Sequence, residues 1–310
     1  MISSKTVIAT TSSFGAESPE IPSVFSEHGL SLITNPTGRK LSERELQDLL
    51  QLHKPVGLLA GTEPVTCAVL EQSAQYLRVI SRVGVGWDNV DREAAGKLGI
   101  LVYRTSGVLT DAVAELTIGL VLLALRSVSS ADRKLRSGVW QKQMGSLLLG
   151  KTVGVVGFGQ IGQRVGKLAD AFGAKVIFHD LQLFDFPWAR AVSLGELLCE
   201  SDIVTLHASG QNRVLGQAEL RSLKKGSIVL NTARGGLVDE NALHDCLLNG
   251  RVRFACLDVF ENEPYNGPLC SLENVVLTPH IGSYAREARV LMEQTAVENL
   301  LDGLRKAGVL

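Results

Sequence analysis

Hydrophobic and polar positions alternate in short blocks along the whole chain. Near the N-terminus, four apolar runs predict β-strands at 6–10, 56–60, 77–81 and 100–103. Between the first two runs, the segment 41–52 has helical periodicity and opens with a capping box formed by Ser42 and Glu45. Strands that alternate with helices are typical of α/β folds built on parallel sheets.

The longest helix predicted by this pattern covers residues 110–128. It is apolar on nearly every side, so we expect it to be buried, at a domain or subunit interface. The polar segment 129–146 then leads into a second alternating series. The strands of this series are predicted at 152–157, 175–179, 202–207, 227–231, 253–259 and 274–279.

Two further helices complete the pattern. One begins with a capping box at Ser193 and Glu196, and an amphipathic helix is predicted over 285–308. A series of six strands with helices between them indicates a doubly wound nucleotide-binding domain.

Length and composition narrow the class of protein. A chain of 310 residues exceeds what one hydrophobic core usually supports, so we expect two domains. A net charge of −1 gives no general attraction to nucleic acid or to an anionic membrane. The five cysteines form no CxxC pair, which argues against a zinc site or a disulfide scaffold and favours a reducing compartment. Without a secretory signal or a membrane-spanning run, the sequence predicts a soluble cytoplasmic protein.

The most informative segment is 151–180, where an apolar strand runs into a glycine-rich turn and then a helix. The turn reads Gly157-Phe158-Gly159-Gln160-Ile161-Gly162. Its glycines suit a tight turn, a close approach of the backbone to a pyrophosphate, and close packing of helix on strand. Asp180 ends the next strand, where its carboxylate can bind the ribose hydroxyls and repel a 2′-phosphate. The segment therefore predicts a Rossmann domain that binds NAD; the alternative is a structural turn with Asp180 on the surface.

Three polar residues follow predicted strands of this domain, at the edge where α/β sheets bind ligands. Arg234 offers a fork of donors that matches a carboxylate, or it is a surface arginine in a turn. His280 ends the strand at 274–279 and is able to exchange a proton with a carbonyl or hydroxyl group. Glu263 is placed to orient that imidazole, with Glu261 and Asp258 as rivals. Together these residues suit an anion clamp, a proton carrier and its carboxylate partner.

The chain resembles the D-isomer-specific 2-hydroxyacid dehydrogenases, and within them the phosphoglycerate dehydrogenase-like branch. Blocks typical of the family occur in its order at 59–66, 80–100, 107–120, 150–162, 230–240, 258–264 and 277–282. The resemblance implies that Arg234 grips the substrate, that Glu263 rather than Glu261 partners the histidine, and that His280 is the acid/base.

The resemblance also implies further contacts. Cofactor-binding residues are expected at Gly157, Gly159, Gln160, Ile161, Gly162, Asp180, His207, Thr232, Ala233, Asp258 and Gly282. Substrate-binding residues are expected at Arg82, Val83, Gly84, Val85 and Gly86. No metal is expected, and the family implies a homodimer.

The implied architecture is a Rossmann domain, 103–283, inserted in a flavodoxin-like substrate domain, 1–102, that is completed by 284–310. The active site is expected in the cleft between the domains, where a bound NADH passes hydride to the C2 carbonyl of a 2-keto acid and His280 protonates the oxygen. Our first expectation for the substrate pair is 3-phosphoglycerate and 3-phosphohydroxypyruvate. The alternatives are a non-phosphorylated keto acid, such as glyoxylate or hydroxypyruvate, and a non-catalytic NAD-sensing protein.

Two departures from the family bear on these expectations. The segment 60–64 lacks the arginine that some phosphoglycerate dehydrogenases carry there, which weakens the case for phosphate recognition. The segment 207–212 lacks the usual proline, so the wall beside the cofactor is expected to differ.

Overall fold

The computed structural model describes residues 5–210 and 212–310. The chain divides into two compact units, Met1–Leu109 with Tyr284–Leu310, and Thr110–Ser283. Each unit is an α/β structure in its own right.

The first unit is built on a sheet of five parallel strands. They are β1 (Lys5–Ala9), β2 (Leu30–Thr34), β3 (Gly57–Ala60), β4 (Val79–Arg82) and β5 (Leu101–Arg104). The spatial order β2-β1-β3-β4-β5 is that of flavodoxin-like folds. The predicted domain boundary at residue 102 therefore falls inside β5, which pairs with β4 through Arg104.

Four helices connect these strands, and a C-terminal helix completes the unit. The connecting helices are α1 (Ile21–Glu27), α2 (Glu43–His53), α3 (Cys67–Ser73) and α4 (Arg92–Lys97). The predicted capping box of α2 is confirmed, because Ser42 Oγ accepts from Glu45 N at 3.3 Å while Glu45 Oε2 accepts from Ser42 N at 2.8 Å. The C-terminal helix, Arg286–Lys306, buries Met292, Ala296, Leu300 and Leu304 and contacts β3, β4 and β5.

The second unit is built on a parallel sheet of seven strands. They are β6 (Thr152–Val156), β7 (Lys175–His179), β8 (Ala189–Ala191), β9 (Ile203–Leu206), β10 (Ser227–Asn231), β11 (Val252–Leu257) and β12 (Val275–Leu277). The order β8-β7-β6-β9-β10-β11 is the 3-2-1-4-5-6 arrangement of the Rossmann fold, and β12 extends it by one strand. The predicted α/β fold class is confirmed.

The helices of this unit are α5 (Thr110–Arg126), α6 (Val128–Arg136), α7 (Gln160–Ala171), α8 (Leu194–Glu200), α9 (Gln217–Ser222) and α10 (Glu240–Leu248). The prediction of one helix over 110–128 is wrong at its end, because Ser127 adopts a left-handed conformation (φ 51°) and the chain turns into α6. The helix α5 packs on α7, β10 and β11. No single helix in the described part of the chain has the length and apolarity to cross a membrane; α5 and α6 meet that criterion only as a pair bent by 63°.

Two other expectations need correction. At the predicted capping box of α8, Ser193 accepts from Glu196 N, but the Glu196 carboxylate accepts a hydrogen bond from Arg190. The strand predicted over 274–279 ends at Leu277. His280 consequently lies in a loop beyond the strand, with a left-handed φ of 56°.

Candidate active site

The glycine-rich turn joins β6 to the N-terminus of α7. Gly157 has a φ of 87°, and a Cβ there would lie 2.4 Å from the backbone nitrogen of Ala208. A Cβ on Gly162 would lie 2.1 Å from the carbonyl oxygen of Gly157. At Gly159 no described atom comes within 4 Å of the Cβ position, so this backbone borders open space. Packing thus requires glycine at 157 and 162. Gly159 leaves room for a ligand beside Gln160 and Ile161, the first residues of α7.

Asp180 follows β7 and reaches back to this turn. Its Oδ2 accepts a hydrogen bond from Phe158 N within the glycine turn, and its Oδ1 accepts from Gln182 N at 2.8 Å. The carboxylate is therefore fixed beside the turn. The next side chains, Leu181 and Leu183, are apolar and almost fully exposed, so they add no positive charge for a 2′-phosphate. These features fit the adenosine end of NAD.

His207 follows β9, the strand beside β6. Its Nε2 is 2.9 Å from Thr205 Oγ1. Its Nδ1 is buried and has no hydrogen-bond partner among residues 5–210 and 212–310. Burial lowers the pKa of His207 to about 3, so this imidazole is neutral at physiological pH.

The turn that carries Arg234 follows β10 and is shaped by Asn231. The Asn231 side chain donates to the Arg234 carbonyl at 2.8 Å and accepts from Ala233 N at 3.1 Å. A Cβ on Gly235 would lie 1.9 Å from the carbonyl carbon of Phe260. Glycine at 235 thus lets the Arg234 turn pack directly on the segment that precedes Glu263.

Thr232, in the same turn, is buried. Its hydroxyl lies 3.0 Å from that of Thr117 on α5. This contact ties the β10 turn to the helix that covers the sheet.

His280 and Glu263 are hydrogen-bonded to each other. His280 Nδ1 lies 2.9 Å from Glu263 Oε2 and 3.2 Å from Oε1. Both side chains remain accessible, with 47% and 36% of their surface exposed. Glu263 Oε1 also accepts from Phe260 N at 3.1 Å, which orients the carboxylate. The rival Glu261 faces Arg213 instead, at 3.5 Å.

Asp258, the other alternative to Glu263 as the partner of His280, holds the loop that contains this histidine. Its buried carboxylate accepts hydrogen bonds from Thr278 Oγ1 at 2.6 Å, from Ile281 N at 2.8 Å and from Gly282 N at 2.8 Å. Asp258 thus accepts hydrogen bonds from residues on both sides of His280. The sequence does not predict these hydrogen bonds, because Thr278, Ile281 and Gly282 are twenty or more residues away from Asp258.

The remaining predicted residues lie in the first unit, in the loop after β4. Arg82 is buried and donates to the Val83 carbonyl. Gly84 N donates to Thr105 Oγ1 at 2.9 Å, and Thr105 N donates to the Gly84 carbonyl at 3.2 Å. Val85 and Gly86 are partly exposed, and their amide N–H groups have no hydrogen-bond acceptor among the described residues.

The neighbouring loop, 60–64, contains a buried acid rather than an arginine. Glu63 is 1% exposed, and its Oε1 accepts hydrogen bonds from Gly61 N at 2.9 Å and from the Thr10 hydroxyl. In the described part of the chain, no group of three or more histidine, cysteine or acidic side chains is arranged to hold a metal ion.

Comparisons with known proteins agree with this geometry. Residues 118–282 match the family described as D-isomer specific 2-hydroxyacid dehydrogenase, NAD binding domain. The chain is 41% identical to a glyoxylate reductase of Aeropyrum pernix over 77% of each protein. It is 39% identical to a D-3-phosphoglycerate dehydrogenase of Methanocaldococcus jannaschii, over 86% of this chain and 52% of that protein. A crystal structure of a Thermus thermophilus protein superposes with a TM-score of 0.90 at 39% identity, over 97% of both chains. The chain therefore belongs to the D-isomer-specific 2-hydroxyacid dehydrogenase family and is an NAD-dependent oxidoreductase.

Proposed function

We propose that the protein reduces a small, non-phosphorylated 2-keto acid, glyoxylate or hydroxypyruvate, to the corresponding 2-hydroxy acid with NADH. The observation that carries the reaction type is the accessible His280 imidazole, hydrogen-bonded through Nδ1 to Glu263. Such a pair is suited to donate a proton to a carbonyl oxygen.

The residues of the second unit are assigned the following roles. Because Nδ1 of His280 bonds to Glu263, Nε2 is the atom that carries the proton to and from the substrate. Glu263 orients the imidazole through its hydrogen bond to Nδ1. Arg234 binds the substrate carboxylate and orients the carbonyl. NADH, held at the glycine turn and Asp180, supplies the hydride when bound.

In the first unit, we assign the loop 83–86 to the substrate carboxylate. The amide N–H groups of Val85 and Gly86, which lack an acceptor among the described residues, support this assignment. Consecutive backbone N–H groups form a concave site for an anion. Arg82 adds positive charge directly before the loop.

The choice of a non-phosphorylated substrate is supported by Glu63. A buried carboxylate in the loop 60–64 disfavours a phosphate there, since like charges repel more strongly where water is excluded. The glyoxylate reductase relative supports the same choice. Our first expectation, 3-phosphohydroxypyruvate, is the second candidate, favoured by the match to a phosphoglycerate dehydrogenase over most of this chain.

We also propose that the protein forms a homodimer through the segment 128–149. The helix α6 has no buried residue, and several large apolar side chains after it are exposed, among them Trp140 at 83% and Met144 at 97%. Exposed apolar patches of this kind mark interaction sites. Light scattering coupled to size exclusion is expected to give twice the mass of the chain, and Met144→Asp is expected to shift it towards the monomer.

A panel of keto acids tests the proposed function. NADH oxidation is followed by absorbance with glyoxylate, hydroxypyruvate and 3-phosphohydroxypyruvate in parallel. We expect kcat/KM for one of the first two acids to exceed that for the phosphorylated acid by about tenfold or more. A preference for the phosphorylated acid would select the second candidate. NADH binding without oxidation by any acid would show that the protein is not this enzyme.

A further inference from the structure

Trp87 lies directly after the proposed carboxylate-binding loop, and its indole contacts two arginines. The guanidinium carbons of Arg92 and Arg104 each lie 4.3 Å from the centroid of its ring. Both guanidinium groups therefore lie within cation–π distance of the indole. Trp87 is half-buried, whereas both arginines are exposed.

The ends of the segment 83–90 are fixed by other contacts. At its start, Gly84 exchanges two hydrogen bonds with Thr105. At its end, the Asn89 side chain donates to the carbonyls of Gly61 at 3.1 Å and Glu63 at 2.6 Å. The middle of the segment, residues 85–87, contains the amides assigned to the substrate.

That middle part is held by Arg104. In addition to stacking on Trp87, Arg104 donates a long hydrogen bond, 3.4 Å, to the Val85 carbonyl. The backbone of Arg104 is itself fixed, because it ends β5 and its carbonyl accepts from Asn299 on the C-terminal helix at 3.2 Å. The Arg104 side chain thus connects the fixed end of β5 to the loop at Val85.

We propose that the Arg92–Trp87–Arg104 stack is a positioning element that holds residues 85–87 in the conformation that binds the substrate carboxylate. The proposal rests on the assignment of the loop 83–86 to that carboxylate. The stack orients amides that grip the substrate equally in the ground state and the transition state, so it controls KM rather than kcat.

The kinetic test compares two substitutions with conservative partners. Removing Trp87, and with it both cation–π contacts, is expected to raise KM for the keto acid by about tenfold. Trp87→Leu removes both contacts, whereas Trp87→Phe keeps an aromatic face. Arg104→Gln removes one contact, whereas Arg104→Lys keeps the charge. We expect KM to rise in Trp87→Leu and Arg104→Gln, to recover in the conservative variants, and kcat and the NADH Kd to remain unchanged.

Arg305→Gln is the matched control, because it removes an exposed, ion-paired arginine of the same unit at the end of the C-terminal helix. Its KM is expected to equal that of the wild type. An unchanged KM in both Trp87→Leu and Arg104→Gln would overturn the proposal. So would a fall in kcat with KM unchanged. If Trp87→Leu does not fold, the comparison of Arg104→Gln with Arg104→Lys tests the proposal on its own.

A binding measurement separates this proposal from the proposed function. Oxamate, an unreactive analogue of a 2-keto acid, is titrated into the NADH complex while tryptophan emission is recorded. We expect a saturable change that is lost in Trp87→Phe, because Trp87 adjoins the loop that binds the analogue. Such a change supports the stack even if no keto acid is reduced. Oxamate binding that leaves Trp87 emission unaltered would contradict it.

Discussion

Asp258 provides the sharpest prediction about how the site is assembled. Its two carboxylate oxygens accept three hydrogen bonds from residues on both sides of His280. In Asp258→Asn, one oxygen becomes an NH2 group, which donates and cannot accept. Whichever way the amide faces, at least one of the Thr278, Ile281 and Gly282 donors then loses its acceptor.

The expected magnitude follows from these contacts. A hydrogen bond to a charged group contributes about 1.5–3 kcal/mol, and an unsatisfied buried N–H costs about 1–3 kcal/mol. We therefore expect Asp258→Asn to lower the free energy of unfolding by about 2–4 kcal/mol. A displacement of His280 by about 1 Å is expected to lower kcat/KM by about 100-fold.

The assay combines thermal unfolding with steady-state kinetics on Asp258→Asn, Thr278→Val and Glu261→Gln. Thr278→Val removes one of the three donors and should give an intermediate loss. Glu261→Gln changes an exposed acid of the same segment and should behave as the wild type. If Asp258→Asn retained the stability and turnover of the wild type, the reasoning about the His280 loop would be refuted.

Three further outcomes are expected. Asp180→Ala should weaken NAD binding by about tenfold to 100-fold in calorimetry, because the ribose loses a charged acceptor; an unchanged Kd would remove Asp180 from the site. Gly162→Ala should abolish NAD binding in a folded protein, since its Cβ would lie 2.1 Å from the Gly157 oxygen; retained affinity would contradict this packing. The folded pKa of His207, about 3, lies below its ordinary 6.5. As the pH falls, His207 therefore takes up a proton in the unfolded chain at a higher pH than in the folded protein. Its contribution to stability is present above about pH 6.5 and is lost on acidification. The unfolding temperature of His207→Gln should therefore depend less on pH between about 4 and 6.5 than that of the wild type; equal slopes would contradict the burial of the imidazole.

The features that the sequence predicted well are those that depend on neighbouring residues. The strand–turn–helix around Gly157 requires particular residue types at adjacent positions, so the pattern alone identifies it. The capping box of α2 is equally local. At α8 only one of the two hydrogen bonds of the predicted capping box forms, because Arg190, outside the motif, binds the Glu196 carboxylate.

The features that escaped prediction depend on residues far apart in the chain. His280 was expected at a strand end, but Asp258 bonds the loop and the strand stops at Leu277. The need for glycine at 235 comes from the backbone of Phe260. The strands β2 and β8 also escaped prediction; each lies at one edge of its sheet and is incompletely buried.

The central claim, that His280 carries the proton of keto-acid reduction, is tested most directly by a single turnover. The NADH complexes of the wild type and of His280→Ala are mixed with glyoxylate or hydroxypyruvate, whichever the wild type reduces faster, and NADH absorbance is followed in a stopped-flow instrument. The account predicts a rate about 10²–10⁴-fold lower in the variant, with an unchanged Kd for NADH. A near-normal rate in His280→Ala would contradict it.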